Sequence, residues 1–183
     1  MVHWQHKFVD LPPLKISINL SAQDLHESTL IQEIDDILTD TGLEGSSIIL
    51  EITESMLIED IEQTIDTLTY LASRHLQISI DDFGTGYSSL KYLHRLPVHS
   101  LKIDGSFVGH IQTDNRNYQV VSAILALSHQ LGLTTVAEGI EAPIQLQRLQ
   151  QLGCHCGQGY LFSQPLSAAD IETFVFKGLC SQG

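Results

Sequence analysis

Residues 76–86 read LQISIDDFGTG, in which apolar and polar residues alternate before two adjacent aspartates and a glycine-rich turn. The segment Leu76–Ile80 predicts a strand, and Asp81 and Asp82 stand at its carboxyl end. Successive side chains inside a regular strand diverge, so two neighbouring carboxylates can serve one site only where the chain leaves the pleat. The stretch therefore predicts a strand that presents a pair of acidic groups at its end.

Strands and helices alternate on both sides of this stretch. Apolar or alternating runs predict five further strands, at 15–20, 47–53, 100–103, 134–137 and about 159–162. Helical patterns lie between the strands, at 24–41, 58–71, 88–96, 118–131, 143–152 and 168–176. Six βα units in strict order indicate an α/β protein with a parallel sheet covered by helices. Doubly wound sheets and barrels both satisfy this pattern.

Polar side chains at the strand ends favour a barrel over a doubly wound sheet. They fall late in successive strands or directly after them, at Asn19, Glu51, Asp81, Asp82, Lys102 and Glu138. In a barrel, residues from several strands meet in an active site at the C-terminal face. A doubly wound sheet more often shows a Gly-rich phosphate turn after its first strand, and the sequence has none there. We therefore predict a TIM-type (β/α) barrel.

The length predicts an incomplete barrel. A full barrel has eight strands and about 250 residues, whereas this chain has 183 residues. The last unit looks complete, so we expect the first two units to be missing, with Trp4–Val9 the end of a preceding helix. Residues 1–183 are then expected to form a single barrel domain that is incomplete at its N-terminus.

The charge and composition of the chain exclude several kinds of binding partner. A net charge of −13 should repel DNA and anionic membrane surfaces. No apolar run approaches the ~20 residues of a membrane span and no signal peptide is visible, so we expect a cytoplasmic protein without membrane insertion. The cysteines Cys154, Cys156 and Cys180 lack the spacing of a zinc site. With only nine Lys and Arg, an anionic ligand would need a bound divalent cation.

The motifs at these strand ends resemble those of the EAL domain family. They are Ile18–Ser21, Leu50–Glu54, Asp81–Leu90, Leu101–Asp104 before Ser106–Val108, Ala137–Glu141, and Gly157–Phe162 before Pro165–Leu166. They occur in the family's order and cover the chain from about Lys15 to Phe176. A chance match to all six is not credible, although a single motif such as Asn-Leu-Ser would be weak.

The resemblance implies a barrel that binds two Mg²⁺ or Mn²⁺ ions and hydrolyses cyclic di-GMP, a bacterial messenger, to linear pGpG. By resemblance, the metal ligands are Asn19, Glu51, Asp81, Asp82 and Glu138. The catalytic set is Lys102, which contacts the attacking water, Glu138, Glu141, which holds the loop at 81–86, and Gln158 beside the site. The resemblance also implies a homodimer, and an upstream sensor or diguanylate cyclase-like domain in a longer parent protein.

The chemistry suits these residue types. Two metal ions about 3.5–4 Å apart lower the pKa of a shared water and stabilise charge on the attacking and leaving oxygens. Hard cations prefer the oxygen ligands that Asp, Glu and Asn supply. Lys102 adds a fixed positive charge that can stabilise the transition state. Glu51 lies inside an apolar strand, where a carboxylate is costly unless it is paired or bound to metal.

Departures from the family keep other functions open. The Glu-Ala-Leu motif, with its metal-binding Glu and a nearby Arg, is absent, and Gly105 and His155 replace residues that are more common in the family. The chain could be a module that only binds cyclic di-GMP or a protein partner. It could also be an inert fragment that dimerises or swaps elements to cover open sheet edges. A fold-level alternative is an enolase-like barrel with Lys102 as base.

Overall fold

Six parallel strands form one sheet in the computed structural model, which describes residues 1–9, 11–57, 60–86 and 90–180. The strands are β1 Ile16–Asn19, β2 Ile48–Thr53, β3 Gln77–Phe83, β4 Ser100–Ile103, β5 Thr134–Ala137 and β6 Cys156–Gly157. Their order in the sheet is their order in the sequence, and every neighbouring pair is parallel.

This order confirms the barrel type of fold. Every crossover moves in the same direction along the sheet, and right-handed crossovers then place all connecting helices on one face. A doubly wound sheet would instead reverse direction at a switch point. In the described part of the chain the sheet stays open, since β1 and β6 have one neighbour each.

The helices are short to medium in length. They are α1 Val2–Lys7, α2 Ala22–His26, α3 Leu30–Thr41, α4 Ile61–Ser73, α5 Leu90–Leu93, α6 Gly105–Gly109, α7 Asn115–Gln130, α8 Pro143–Gln151 and α9 Ala168–Cys180. The end of α3 follows from Gly42, which adopts a left-handed conformation with φ of +65°. No described helix has both the length and the hydropathy to cross a membrane.

The two faces of the sheet differ in chemistry. Alternate residues of the central strands pack against the helices and are buried: Ile48, Leu50, Ile52, Ile78, Ile80, Leu101 and Ile103. The residues between them face the other side, where register places Asn19 beside Glu51 and Glu51 beside Ser79. The apolar core therefore lies between sheet and helices, and the opposite face is free to carry polar groups.

One predicted helix is two helices. The pattern at 24–41 suggested a continuous helix, but α2 ends at His26 and α3 begins at Leu30. Leu25 and Leu30 are both buried, and residues five apart lie on different faces of a continuous helix. The break therefore lets both leucines reach the core. The start of the first helix follows from a capping box between Ser21 and Asp24.

The last strand lies earlier than predicted, at Cys156–Gly157 instead of about 159–162. The chain after it wraps around Ile140, whose N–H donates to the Gln158 carbonyl and whose carbonyl accepts from the Leu161 N–H. A Cβ at Gly159 would lie 2.2 Å from the Ile140 carbonyl oxygen, so this glycine permits a close backbone contact that replaces strand pairing.

Other boundaries differ by a few residues, and two predicted positions are outside the described part. The helix expected at 118–131 begins at Asn115, because Asp114 caps it. The short helix α6 was not predicted. Ile58 and Ser88, which marked predicted helices, lie outside the described residues.

Candidate metal and active site

Four neighbouring strands bring three carboxylates to one lysine. Lys102 lies in β4 and is only 6% exposed. Its Nζ lies 2.7 Å from Oε2 of Glu51, 2.8 Å from Oε1 of Glu138 and 3.1 Å from Oδ1 of Asp81. Glu51 comes from β2, Asp81 from β3, and Glu138 directly follows β5. Four of the residues predicted from the strand ends are therefore in direct contact.

The cluster has more negative than positive charge. Burial alone would lower the pKa of Lys102, but hydrogen bonds to Glu138 and Glu51 outweigh it and raise the pKa, so the ammonium stays charged. Burial raises the pKa of Glu138, against the effect of Lys102, and the charges of Asp81 and Glu51 raise it further. With one ammonium among three carboxylates, the cluster has a net negative charge that Lys102 does not neutralise.

Asp82 joins this cluster because β3 is irregular at its end. The pairing of β3 with β4 shifts register between Ile80 and Phe83, and Asp82 has a φ of +53°. A left-handed conformation at a residue other than glycine costs about 1–3 kcal/mol and is typical of functional sites. Single carboxylate oxygens of Asp81, Asp82 and Glu138 all lie within 4.8 Å of one another. The strand therefore leaves its regular pleat at the two adjacent aspartates, as expected if both carboxylates serve one site.

These residues fit a divalent cation. Burial raises the pKa of Asp82, and the charges of Asp81 and Asp104 raise it further, as expected where carboxylates crowd without enough positive charge. A hard cation would satisfy the oxygens of Asp81, Asp82 and Glu138. Asn19 is exposed at the end of β1, in register with Glu51, so its amide lies on the same edge of the sheet.

Glu54 anchors the loop that follows the aspartates. It is 2% exposed and lies in a 3-10 turn directly after β2. Its Oε2 accepts hydrogen bonds from the N–H groups of Gly84, at 3.1 Å, and Gly86, at 3.3 Å. The sequence places Glu54 directly after a predicted strand, but the pairing of that strand with β3, which brings Glu54 to the loop, is visible only in the folded sheet.

Glu141, the expected anchor of this loop, does not make these contacts among the described residues. It is exposed before α8, and its backbone N–H donates a hydrogen bond to Oε1 of Gln145. The physical reason is position, because Glu141 follows β5, two strands away from β3. The loop-holding contact that we expected of Glu141 is thus made by Glu54.

Glu141 and Gln158 instead line a cleft beside the cluster. The cleft has a volume of about 360 Å³ and is lined by Gly105, Glu138, Gly139, Glu141, Gln158, Gly159 and Tyr160. Glu138 belongs to both places, since it also contacts Lys102. The structure therefore places Gln158 near the site, as the sequence suggested, but outside the buried group of charges.

Asp104 is a neighbour of the site that the sequence reasoning left without a role. It caps α6 by accepting a hydrogen bond from the Ser106 N–H at 3.0 Å. It also interacts with the Asp82 side chain, whose pKa it helps to raise. The sequence indicated a position near the site, because Asp104 directly follows the strand β4.

Comparison with known proteins agrees with this geometry. The EAL domain family model matches residues 1–165. A cyclic di-GMP phosphodiesterase of Pseudomonas aeruginosa, NbdA, is 43% identical over 162 residues, which are 88% of this chain and 21% of that protein. The chain therefore spans about a fifth of the length of this curated relative.

Solved structures show the same fold. The MucR phosphodiesterase in complex with cyclic di-GMP has a TM-score of 0.89 and 40% identity, over 93% of this chain and 68% of that one. Klebsiella pneumoniae BlrP1, in a manganese and cyclic di-GMP complex, has a TM-score of 0.79 and 30% identity, over 90% of this chain and 42% of that one. These matches leave the enolase-like alternative without support, and the chain belongs to the EAL domain family.

Proposed function

We propose that this chain carries the metal-binding and catalytic part of a phosphodiesterase that hydrolyses cyclic di-GMP to linear pGpG. The observation that carries the proposal is the contact of buried Lys102 with Glu51, Asp81 and Glu138, beside Asp82. The cyclic di-GMP phosphodiesterase among its relatives supports the same reaction class.

The proposed cofactor is a pair of Mg²⁺ or Mn²⁺ ions. Asp81, Asp82 and Glu138 would hold them, with Glu51 and Asn19 at the neighbouring strand ends. Bound there, the ions would supply an acidic water and neutralise charge on the phosphodiester. Such neutralisation is needed, because a chain with a net charge of −13 otherwise repels a cyclic dinucleotide.

The protein's own groups would position the substrate and the attacking water. Lys102 is pinned by three carboxylates, so its ammonium needs little reorganisation to stabilise charge at the reacting phosphate. Glu54 fixes the loop that begins at the aspartates. The cleft lined by Glu141, Gln158 and Tyr160 lies next to Glu138 and offers polar partners to one nucleotide of the substrate.

The test is turnover of cyclic di-GMP by the purified chain with Mg²⁺ or Mn²⁺, with pGpG followed by chromatography. Asp81→Asn and Glu51→Gln should reduce turnover by about 100-fold or more, whereas the exposed control Asp66→Asn should leave it unchanged. Binding without turnover, measured by calorimetry, would favour the binding module. Neither turnover nor binding by a folded sample would contradict both proposals and favour an inert fragment.

Assembly and location are part of the proposal. An apolar recess of about 380 Å³ lies beside the loop, lined by Glu54, Phe83, Gly84, Val120, Ala123, Ile124 and Leu127. We propose that a second copy covers it to form a homodimer, which Ala123→Glu should dissociate in light scattering. We further propose a single cytoplasmic domain that is joined to sensor or cyclase-like domains in a longer parent protein.

A further inference from the structure

A buried glutamine outside the charged cluster connects two segments of the site. Gln145 lies in the first turn of α8 and is 5% exposed. Its Oε1 accepts hydrogen bonds from the N–H groups of Glu141 and Ala142, both at 2.8 Å. Its Nε2 donates to the carbonyl oxygen of Gly109 at 3.3 Å. The one side chain thus bonds to two different segments of the chain, one before α8 and one at the end of α6.

Both segments carry acidic groups of the site. Glu141 and Ala142 end the segment that starts at Glu138, whose carboxylate contacts Lys102. Gly109 ends the short helix α6, which Asp104 caps at its other end. Gln145 therefore connects the segment of Glu138 to the segment of Asp104.

The two segments also touch at their other ends. Gly139 has a φ of +65°, and a Cβ there would lie 3.1 Å from Cα of Gly105. Helix α6 has only five residues and little internal strength of its own. Buried Val108 packs α6 into the core, and the contact at Gly139 and the bond from Gln145 to Gly109 fix it against the Glu138 segment.

Ordinary helix capping does not account for all three bonds. The side chain of Gln145, at the third position of α8, accepts from the N–H of the N-cap residue Ala142 as in a capping box, and also from the N–H of Glu141. The third bond, to Gly109, contributes nothing to capping α8. A buried amide side chain with donor and acceptor both used is typical of a group that specifies one arrangement.

We propose that Gln145 is a positioning residue, which fixes the Glu138 carboxylate relative to Asp81 and Asp82 by joining the Glu138 segment to α6. The inference rests on the proposed metal site and predicts that Gln145 acts without touching the metal or the substrate. Partners of metal ligands typically contribute 10- to 100-fold to metal affinity or activity. A shift of about 1 Å in a catalytic group can have an effect of similar size.

Two substitutions of Gln145 distinguish its bond to Gly109 from its bonds to the amides before α8. Gln145→Glu keeps an acceptor for the two amides but cannot donate to Gly109, whereas Gln145→Met removes both functions at similar size. Gln147→Glu and Gln147→Met are matched controls on the exposed face of the same helix. Leu149→Ala, at a side chain only 2% exposed in α8, lowers stability without touching the bridge.

Mn²⁺ affinity, measured by calorimetry on the full chain without substrate, is the first readout. We expect both Gln145 variants to weaken Mn²⁺ binding by about 10-fold or more, and the Gln147 variants and Leu149→Ala to change it by less than about twofold. Hydrogen exchange is the second readout: Gln145→Glu should loosen only α6, and Gln145→Met should loosen α6 and the amides of Glu141 and Ala142.

The outcomes separate this inference from the proposed function. If wild-type protein binds Mn²⁺ without turning over cyclic di-GMP, the proposed reaction fails while the Mn²⁺ readout still tests Gln145. Unchanged Mn²⁺ affinity in both Gln145 variants would overturn the inference. So would an equal loss of affinity in Leu149→Ala, because general stability would then explain the effect. A wild-type chain that binds no Mn²⁺ would overturn the metal site and the inference together.

Discussion

Replacing Lys102 with methionine should strongly destabilise the metal-free protein, because it removes the one ammonium among three carboxylates. The three Nζ to oxygen distances are 2.7, 2.8 and 3.1 Å. Each attraction is about 5–6 kcal/mol at an effective dielectric constant of about 20. Repulsion among the carboxylates and protonation of Glu138, whose pKa is already raised, cancel much of that sum. Removing one partner of a buried pair typically costs about 3–5 kcal/mol, and we expect a loss in that range.

The assay is urea unfolding followed by circular dichroism, first in EDTA and then with Mn²⁺. A bound cation restores the missing positive charge, and ligand at 100 times its Kd adds about 2.7 kcal/mol to the free energy of unfolding. Lys91→Met, at an exposed lysine, is the matched control. The reasoning is refuted if Lys102→Met loses no more stability in EDTA than this control, or if Mn²⁺ recovers none of the loss.

Three further substitutions test other parts of the structure. Glu54→Leu leaves two loop amides without their acceptor, so their hydrogen exchange should accelerate and stability should fall by about 1–3 kcal/mol. His99→Asn should flatten the fall in stability between pH 7 and pH 5, because Nδ1 of His99 accepts the Ile78 N–H and must stay neutral. Gly157→Ala should cost about 1–3 kcal/mol in urea unfolding, because its Cβ would lie 2.6 Å from Cδ1 of Ile140.

The sign of the pH effect follows from the pKa of His99. Burial, and to a smaller degree the charge of Lys15, lowers it from the ordinary value of 6.5. The unfolded chain therefore binds a proton more readily than the folded protein, and stability falls as pH drops through about 6.5. A wild-type profile as flat as that of His99→Asn would contradict this. Glu27→Leu, His94→Asn and Gly109→Ala are the controls for the three substitutions.

The sequence predicted which strand-end residues come together better than it predicted the ends of the helices and strands. Lys102, Glu51, Asp81 and Glu138 could be grouped because polar residues at the ends of parallel strands must meet at one edge of the sheet. The break between α2 and α3 was less visible, because both halves have helical patterns and only the burial of Leu25 and Leu30 separates them.

The sequence alone did not predict which carboxylate holds the loop after β3, because that contact depends on which strands are neighbours in the sheet. Glu54 and Glu141 both follow strands and both carry a carboxylate, so residue type could not decide which one holds the loop. The order of the sheet decides it, because β2 borders β3 and β5 does not. The strand misplaced near 159–162 has a similar cause, since the contact of Gly159 with Ile140 is not a local property of either segment.

The buried face of the sheet explains how the protein stays folded although the crowded carboxylates of the site lower its stability. Crowded carboxylates raise the pKa of Glu138 and Asp82, and the left-handed conformation of Asp82 adds strain. On the opposite face, side chains such as Ile52, Ile80 and Leu101 are fully buried and each contributes about 1.5–3 kcal/mol. A cation bound at the proposed site would relieve the crowding in the folded arrangement alone, so we expect metal binding and stability to be coupled. Residues that hold Glu138 in place, Gln145 first among them, should then affect both.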